Sequence, residues 1–405
     1  MINYFEIKPL EEDFMYWVHL LTIKLFNNQH YRRIRFFVLL FHSSIICVQI
    51  YMYITVFDAD FFFQYIITFL SLLAVSNTLQ FITFFKYPFQ AVMFNASYFI
   101  SEKNFNDLEN TIYSHFWSPS TATQRAREDI KRDTRYVTIL VLLNTFLGIF
   151  AGIVLIPVGK SVDHQFGMFL FRTYLPKLRY LLDVIYSLSF AIIGHTMVNW
   201  ANVVAYYSCL AKSQVKLGTE RAKYLSAEYE DQDEDSLYYS EEYQQVMKER
   251  IRFTIIRHIE LLGLFRIVSV SATKLLPLLS LGGITMCLSA MSFAYLVEYD
   301  LLYWRFFQDF IWAISSLVTG ILIVQSGQEL EDLTGDMYAT LNDVRWVTFN
   351  QSNKKLVLVI LTMSQIPCRL QFTDTLSVNY ELGIRMARNI YSFAAILARV
   401  KNFEI

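Results

Sequence analysis

The chain has 405 residues, 54% hydrophobic and 17% aromatic, with a mean hydropathy of +0.33, which is too apolar for an ordinary soluble fold of this size. Its 35 Lys and Arg against 36 Asp and Glu leave a net charge of −1, so no global field would attract nucleic acid or an acidic substrate. The four cysteines, Cys47, Cys209, Cys287 and Cys368, stand in or beside apolar runs without a CxxC pair, which argues against a disulfide framework or a zinc site and for buried, inert thiols.

The opening "MINYFEIKPLEEDF" lacks the basic start, apolar stretch and cleavage site of a signal peptide, so the first residues are expected to stay in the cytosol. A bilayer core needs about 20 apolar residues per helix. That filter gives spans near Ile34–Val56, Phe61–Phe85, Tyr136–Pro157, Leu181–Tyr206, Leu275–Val297 and Tyr303–Ile323, with a seventh from Leu376 to Val400. Lys8, Lys24, Arg32 and Arg33 precede the first span, and seven Lys and Arg from Lys86 to Arg135 separate the second from the third. Positive flanks stay inside, which places the N-terminus in the cytosol and the C-terminus outside. The fold expected is therefore all-α, a membrane protein of seven transmembrane helices.

Between the fourth and fifth spans, "SAEYEDQDEDSLYYSEEYQQ" is dense in carboxylates and reads as a solvated flexible loop, with a docking or regulatory segment as the alternative. An amphipathic helix follows, apolar at Ile251, Ile255, Ile259 and Leu262, with Arg250, Arg252, Arg257 and Glu260 assigned to its other faces. The sixth span continues inward through "GQELEDLTGDMYATLNDVRW", and "KKLVLVILTMSQIP" forms a second cytosolic helix. The sequons at Asn95 and Asn350 fall on the cytosolic side and are expected to carry no glycan.

In the last span Glu381, Arg385, Arg388, Ser392, Ala395 and Arg399 follow at intervals of four and three, on one helical face. Ionisable groups at membrane depth are costly and face protein or water. The stripe implies a helix beside an aqueous path; snorkelling of its ends to the two headgroup layers is the alternative. One helix cannot enclose a pore, so a lined pore requires several chains around an axis. Enzyme chemistry is disfavoured: no Gly-rich phosphate loop, HExxH or nucleophile elbow is present, and no catalytic residue, metal ligand or cofactor is expected. A secondary transporter would show two related halves, and none is apparent.

The C-terminal third resembles the insect odorant receptors, a family of odour-gated ion channels. Their signature has a Trp after the sixth span, a Lys pair, Gln-x-Pro, Leu-Ser and Tyr-Ser-aromatic. Here these are Trp346, Lys354 and Lys355, Gln365 to Pro367, Leu376 and Ser377, and Tyr391 to Phe393, in order. The resemblance implies a tetramer in which the last helix of each subunit lines a cation pore and the cytosolic helices form a common anchor. It implies a gate at Ile396 and Val400 and pore positions at Arg388, Ser392 and Arg399, although Arg385 and Arg399 add positive charge beside a cation path. The long insertion of the obligate co-receptor is absent, which implies an odorant-tuning subunit in a hetero-tetramer with that co-receptor. The partners implied are thus co-receptor subunits, a small volatile odorant, membrane lipid and permeant cations, at the plasma membrane of an olfactory neuron's dendrite. A gustatory-receptor-like or homomeric ligand-gated channel is the alternative.

The corresponding division is a cytosolic segment 1–33, transmembrane helices 34–208, a cytosolic loop and amphipathic helix 209–265, transmembrane helices 266–326, anchor helices 327–372 and the pore helix with extracellular end 373–405. The resemblance further implies an odorant pocket in the outer half of the second, third, fourth and sixth spans. Those halves supply Tyr65, Thr68 and Phe69; Thr145, Gly148 and Gly152; Tyr186 and Phe190; and Tyr303, Phe306, Phe307 and Phe310. Thr145, Gly148 and Gly152 share a helical face, where missing side chains leave room either for a ligand or for a close helix contact. His195 reads as a hydrogen-bonded interior residue.

Overall fold

A computed structural model of the chain describes residues 15–56, 116–154, 156, 166–263, 265–266, 269, 299–365, 369–371 and 376–403. These are helical, with nothing more extended than isolated bridges such as Gln371 to Ser377. After a short helical lead-in come α1 (Gln29–Val56), α2 (Gln124–Val154), α3 (Phe166–Tyr174), α4 (Arg179–Lys223), α5 (residues 241–263), α6 (Tyr299–Asn342), α7 (Gln351–Ser364) and α8 (Tyr380–Phe403). The segments Gln124–Val154, Arg179–Tyr229 and Phe310–Asn342 are each long and apolar enough to cross a membrane. The second and fifth expected spans lie outside the described residues.

The fold is organised on α4. Its 45 residues make a rod of about 67 Å, twice the hydrocarbon thickness of a bilayer. From Ile193 to Ala211 every residue is buried, so the helix is packed on all sides and needs no polar face. Helices α2 and α6 run along it and against each other. The α2/α4 crossing is made by glycine. A Cβ on Gly148 would lie 2.6 Å from a methyl of Val198, and one on Gly194 or Gly152 would overlap the carbonyl oxygen of Gly148 or Phe190, respectively. The backbones touch because these three positions carry nothing.

Beside that contact Asn144 Nδ2 donates to Asn202 Oδ1 (2.8 Å), Asn202 Nδ2 to Thr145 Oγ1 (2.9 Å) and Thr319 Oγ1 to Asn144 Oδ1 (2.9 Å). The ladder joins α2, α4 and α6 in one register, because sliding any helix would leave buried amides unpaired. Further along the same three helices a charged cluster ties them: Asp133 receives Lys216 at 2.6 Å and Lys212 at 2.9 Å, and Lys212 also reaches Glu329 at 3.1 Å.

The acidic stretch departs from the expected flexible loop. It forms a turn at Ala227–Tyr229 and a short helix at Glu234–Tyr239, capped by the Asp233 carboxylate on the Ser236 N–H. Arg250 pairs with Glu228 at 2.7 Å and Arg345 with Glu234 at 2.9 Å, while Leu237 and Tyr243 are buried against Phe349 and Val357. Composition alone missed that these carboxylates have arginine partners distant in sequence and that two hydrophobic anchors lie among them.

The α5 faces are also corrected. Its buried face carries Arg250, Thr254, Arg257, His258 and Leu261 alongside Ile251, and Ile259 is exposed. Arg257 lies 4.2 Å over the Trp117 ring and donates to Gln214 and Glu260, and Arg250 donates to the Leu225 carbonyl, so both guanidinium groups are buried with acceptors. The sequon residue Asn350 uses its side chain to accept the Asn353 N–H as the cap of α7; Asn95 lies outside the described residues. Of the described thiols Cys209 is buried as expected, whereas Cys47 is exposed on α1.

Candidate functional site

Where α3 and the first turns of α4 meet α1 and α6, an apolar cluster forms from Val38, Ile45, Ala151, Met168, Phe171, Tyr186, Phe190, Met197 and Trp312. It is rich in rings. Tyr186 and Phe190 meet edge to face at 4.9 Å, Phe171 and Phe41 contact Tyr186 at 6.0 and 6.3 Å, and His42 stacks on Tyr186 at 5.5 Å. Gly167 makes space for this, since a Cβ there would lie 3.0 Å from the Tyr186 ring.

The cluster carries few polar atoms. His42 Nε2 lies 2.8 Å from Ser189 Oγ, which itself donates to the Tyr186 carbonyl at 2.6 Å. Gln308 Nε2 donates to the Val154 carbonyl at 2.6 Å, closing the end of α2 against α6. Among the described residues His42 Nδ1 and Trp312 Nε1 are buried and find no hydrogen-bond partner. An aromatic enclosure with one or two polar handles suits a small, mostly apolar molecule.

Of the expected pocket residues, Tyr186 and Phe190 lie in this cluster, and Ala151 joins it from α2 between Thr145 and Gly152. Gly148 and Gly152 face the α4 backbone, which fills the room their missing side chains leave, and Thr145 is engaged with Asn202. Phe307 and Phe310 are exposed on the outer face of α6, at 39% and 52%. The inward face of that helix is instead Gln308, Trp312, Ser315 and Thr319, at spacings of four, three and four. Tyr303 and Phe306 lie on α6 with side chains outside the described set, and Tyr65, Thr68 and Phe69 lie outside the described residues altogether. His42, Ser189, Gln308 and Trp312 were not anticipated. Polar residues at four-three-four spacing within an apolar span were the available signal in α6.

Deeper in the bundle His195 Nδ1 meets the Tyr31 hydroxyl at 2.7 Å, with Phe26 packed edge-on at 5.0 Å, an interior residue as expected.

Among the described helices the terminal helix α8 packs against α6. Leu382 is buried, a Cβ on Gly383 would lie 3.2 Å from Val324 of α6, and Gly327 of α6 accommodates the Val378 carbonyl just before α8. Beyond these contacts Ile384, Arg385, Arg388, Ile390, Tyr391 and Ser392 are all exposed, with Glu381 and Arg385 paired at 2.5 Å. Ile396, Arg399 and Val400 continue the helix, their side chains outside the described set.

No family model matches the chain, and no curated protein matches it in sequence. Among solved structures the insect olfactory receptor OR5 from Machilis hrabei superposes with a TM-score of 0.65, at 13% identity over 97% of this chain and 93% of that one. The same receptor in complex with eugenol gives a TM-score of 0.63, at 11% identity over 96% and 97%. This chain has the insect olfactory receptor fold.

Proposed function

We propose that the chain is the odorant-binding subunit of a heteromeric, ligand-gated, non-selective cation channel of the plasma membrane, with its N-terminus in the cytosol and α8 lining the pore. The observation that carries this is the state of α8. A helix with Arg385, Arg388 and Ser392 beside Ile384, Ile390 and Tyr391, all exposed, fits neither lipid nor water on all sides. Further subunits would cover its apolar flank and leave the polar stripe to an aqueous path. The similar receptor in complex with eugenol supports a small volatile molecule as the ligand.

Gating needs only a difference in affinity between two arrangements. A channel open about 1% of the time at rest needs about 5.5 kcal/mol of differential binding, summed over its sites, to open almost fully. Burial of apolar surface in an aromatic enclosure supplies this at roughly 25 cal/mol per Å².

Expressed with a co-receptor subunit and challenged with a panel of volatile esters, alcohols, aldehydes and terpenoids, the chain will give an odour-evoked current absent from the chain alone. Robust current from the chain alone would replace this reading with a homomeric channel; uptake without current would replace it with a transporter. Single cysteines at Ser392, Ile396 and Val400 will react with aqueous thiol reagents and alter conductance. Silence at all three in a complex that still conducts would exclude α8 from the pore.

A further inference from the structure

Resting on the reading of the aromatic cluster as the ligand site, we infer that it selects molecules bearing a hydroxyl group, through the Nδ1 lone pair of His42. The inference comes from tracing protons. Ser189 Oγ has one hydrogen, and at 2.6 Å from the Tyr186 carbonyl that hydrogen is committed. Toward His42, 2.8 Å away, Ser189 can therefore only accept, so the imidazole places its own hydrogen on Nε2. Nδ1 is then a bare acceptor. It is buried, no described residue donates to it, and the ring that carries it is flanked by Phe41, Tyr186 and Phe190.

Such an atom has left water without gaining a partner, and a ligand that brings an O–H restores the bond. An ether, ester or hydrocarbon of the same shape cannot. The second unpartnered polar atom of the cluster, Trp312 Nε1–H, is a donor and can be satisfied by any ligand oxygen. An alcohol or phenol oxygen carries both functions these atoms call for, an acceptor for Trp312 and a donor for His42. In this structure the rings close over the nitrogen, and the restored bond offsets part of the cost of parting them.

The test uses the full chain with its co-receptor and, in parallel, competition binding to the purified full-length chain. The probes are 2-phenylethanol, its methyl ether and propylbenzene. The alcohol should act at a concentration about tenfold below the ether, the worth of one hydrogen bond. In His42→Phe the alcohol-to-ether ratio should fall to near one. Ser189→Ala separates proton placement from packing: it frees the imidazole to move its hydrogen to Nδ1, so the ratio should fall because the ether improves rather than because the alcohol weakens. An unchanged ratio in both variants, or no preference in the unmodified chain while all three probes bind, would overturn the hydroxyl selectivity alone. Failure of all three probes to bind or compete would overturn the ligand-site reading and this inference with it.

Discussion

Alanine at Gly194 will destabilise the protein by about 3 kcal/mol, in the upper range for overpacked sites, and will lower its melting temperature in detergent and its yield at the cell surface. The added methyl overlaps the Gly148 carbonyl, a backbone atom that cannot rotate away, so α2 and α4 must separate along their contact. Gly152→Ala should behave alike, since its Cβ meets the Phe190 carbonyl. Gly218→Ala in the same helix is the control: nothing lies within 4 Å of a Cβ there, and removing an interior helical glycine should stabilise by up to about 1 kcal/mol. The pair also decides between the two uses of the glycine face. If Gly148 and Gly152 made room for a ligand, alanine there would shift odour potency and leave the melting temperature alone. A wild-type melting temperature for Gly194→Ala would refute the close contact.

Replacing Asp133 by Asn should cost about 2 kcal/mol, because Lys212 and Lys216 are then held close together with only Glu329 to oppose them. Burial alone would raise the Asp133 pKa, but hydrogen bonds from Lys216 and Lys212 and their charges outweigh it and hold the carboxyl below the usual range. Burial likewise opposes the charge on Lys212, and Asp133 and Glu329 reverse that, raising its pKa. The signs fix the pH window. The depressed Asp133 contributes stability that is complete above the ordinary carboxylate range near pH 4 and is lost as pH falls through its lower folded value. The raised Lys212 contributes stability that is complete below the ordinary lysine range and is lost as pH rises through its higher folded value. Thermal melts should therefore show a plateau across neutral pH. Asp133→Asn should lower that plateau and remove part of the acid limb. An offset that vanishes at neutral pH would show that the cluster contributes nothing to the fold.

Among the described residues, helix existence was legible in the sequence where an apolar run was long. The expected third, fourth and sixth spans are the middles of α2, α4 and α6, and the expected continuation of the sixth span and the second cytosolic helix appear as the end of α6 and as α7. Helix ends were not legible, because α2 begins at Gln124, in a charged stretch that no hydropathy filter admits. Faces were legible only where apolar periodicity and burial coincide. At Arg250 and Arg257 they do not, since each guanidinium finds acceptors on segments remote in sequence. The same holds on α6: Phe307 and Phe310 are exposed, whereas Trp312 lies on the inward face with Gln308, Ser315 and Thr319. Tyr186 and Phe190, one helical turn apart, are both buried in the aromatic cluster.

No proline interrupts Arg179–Lys223, so the stretch has no built-in joint. Tyr186 in the aromatic cluster and Lys212 in the charged one stand on the same stiff member, about 40 Å apart. A displacement at one end of so stiff a member is carried toward the other, with the glycine crossing between them. A signal can cover that distance as leverage rather than as a relay of side-chain rearrangements.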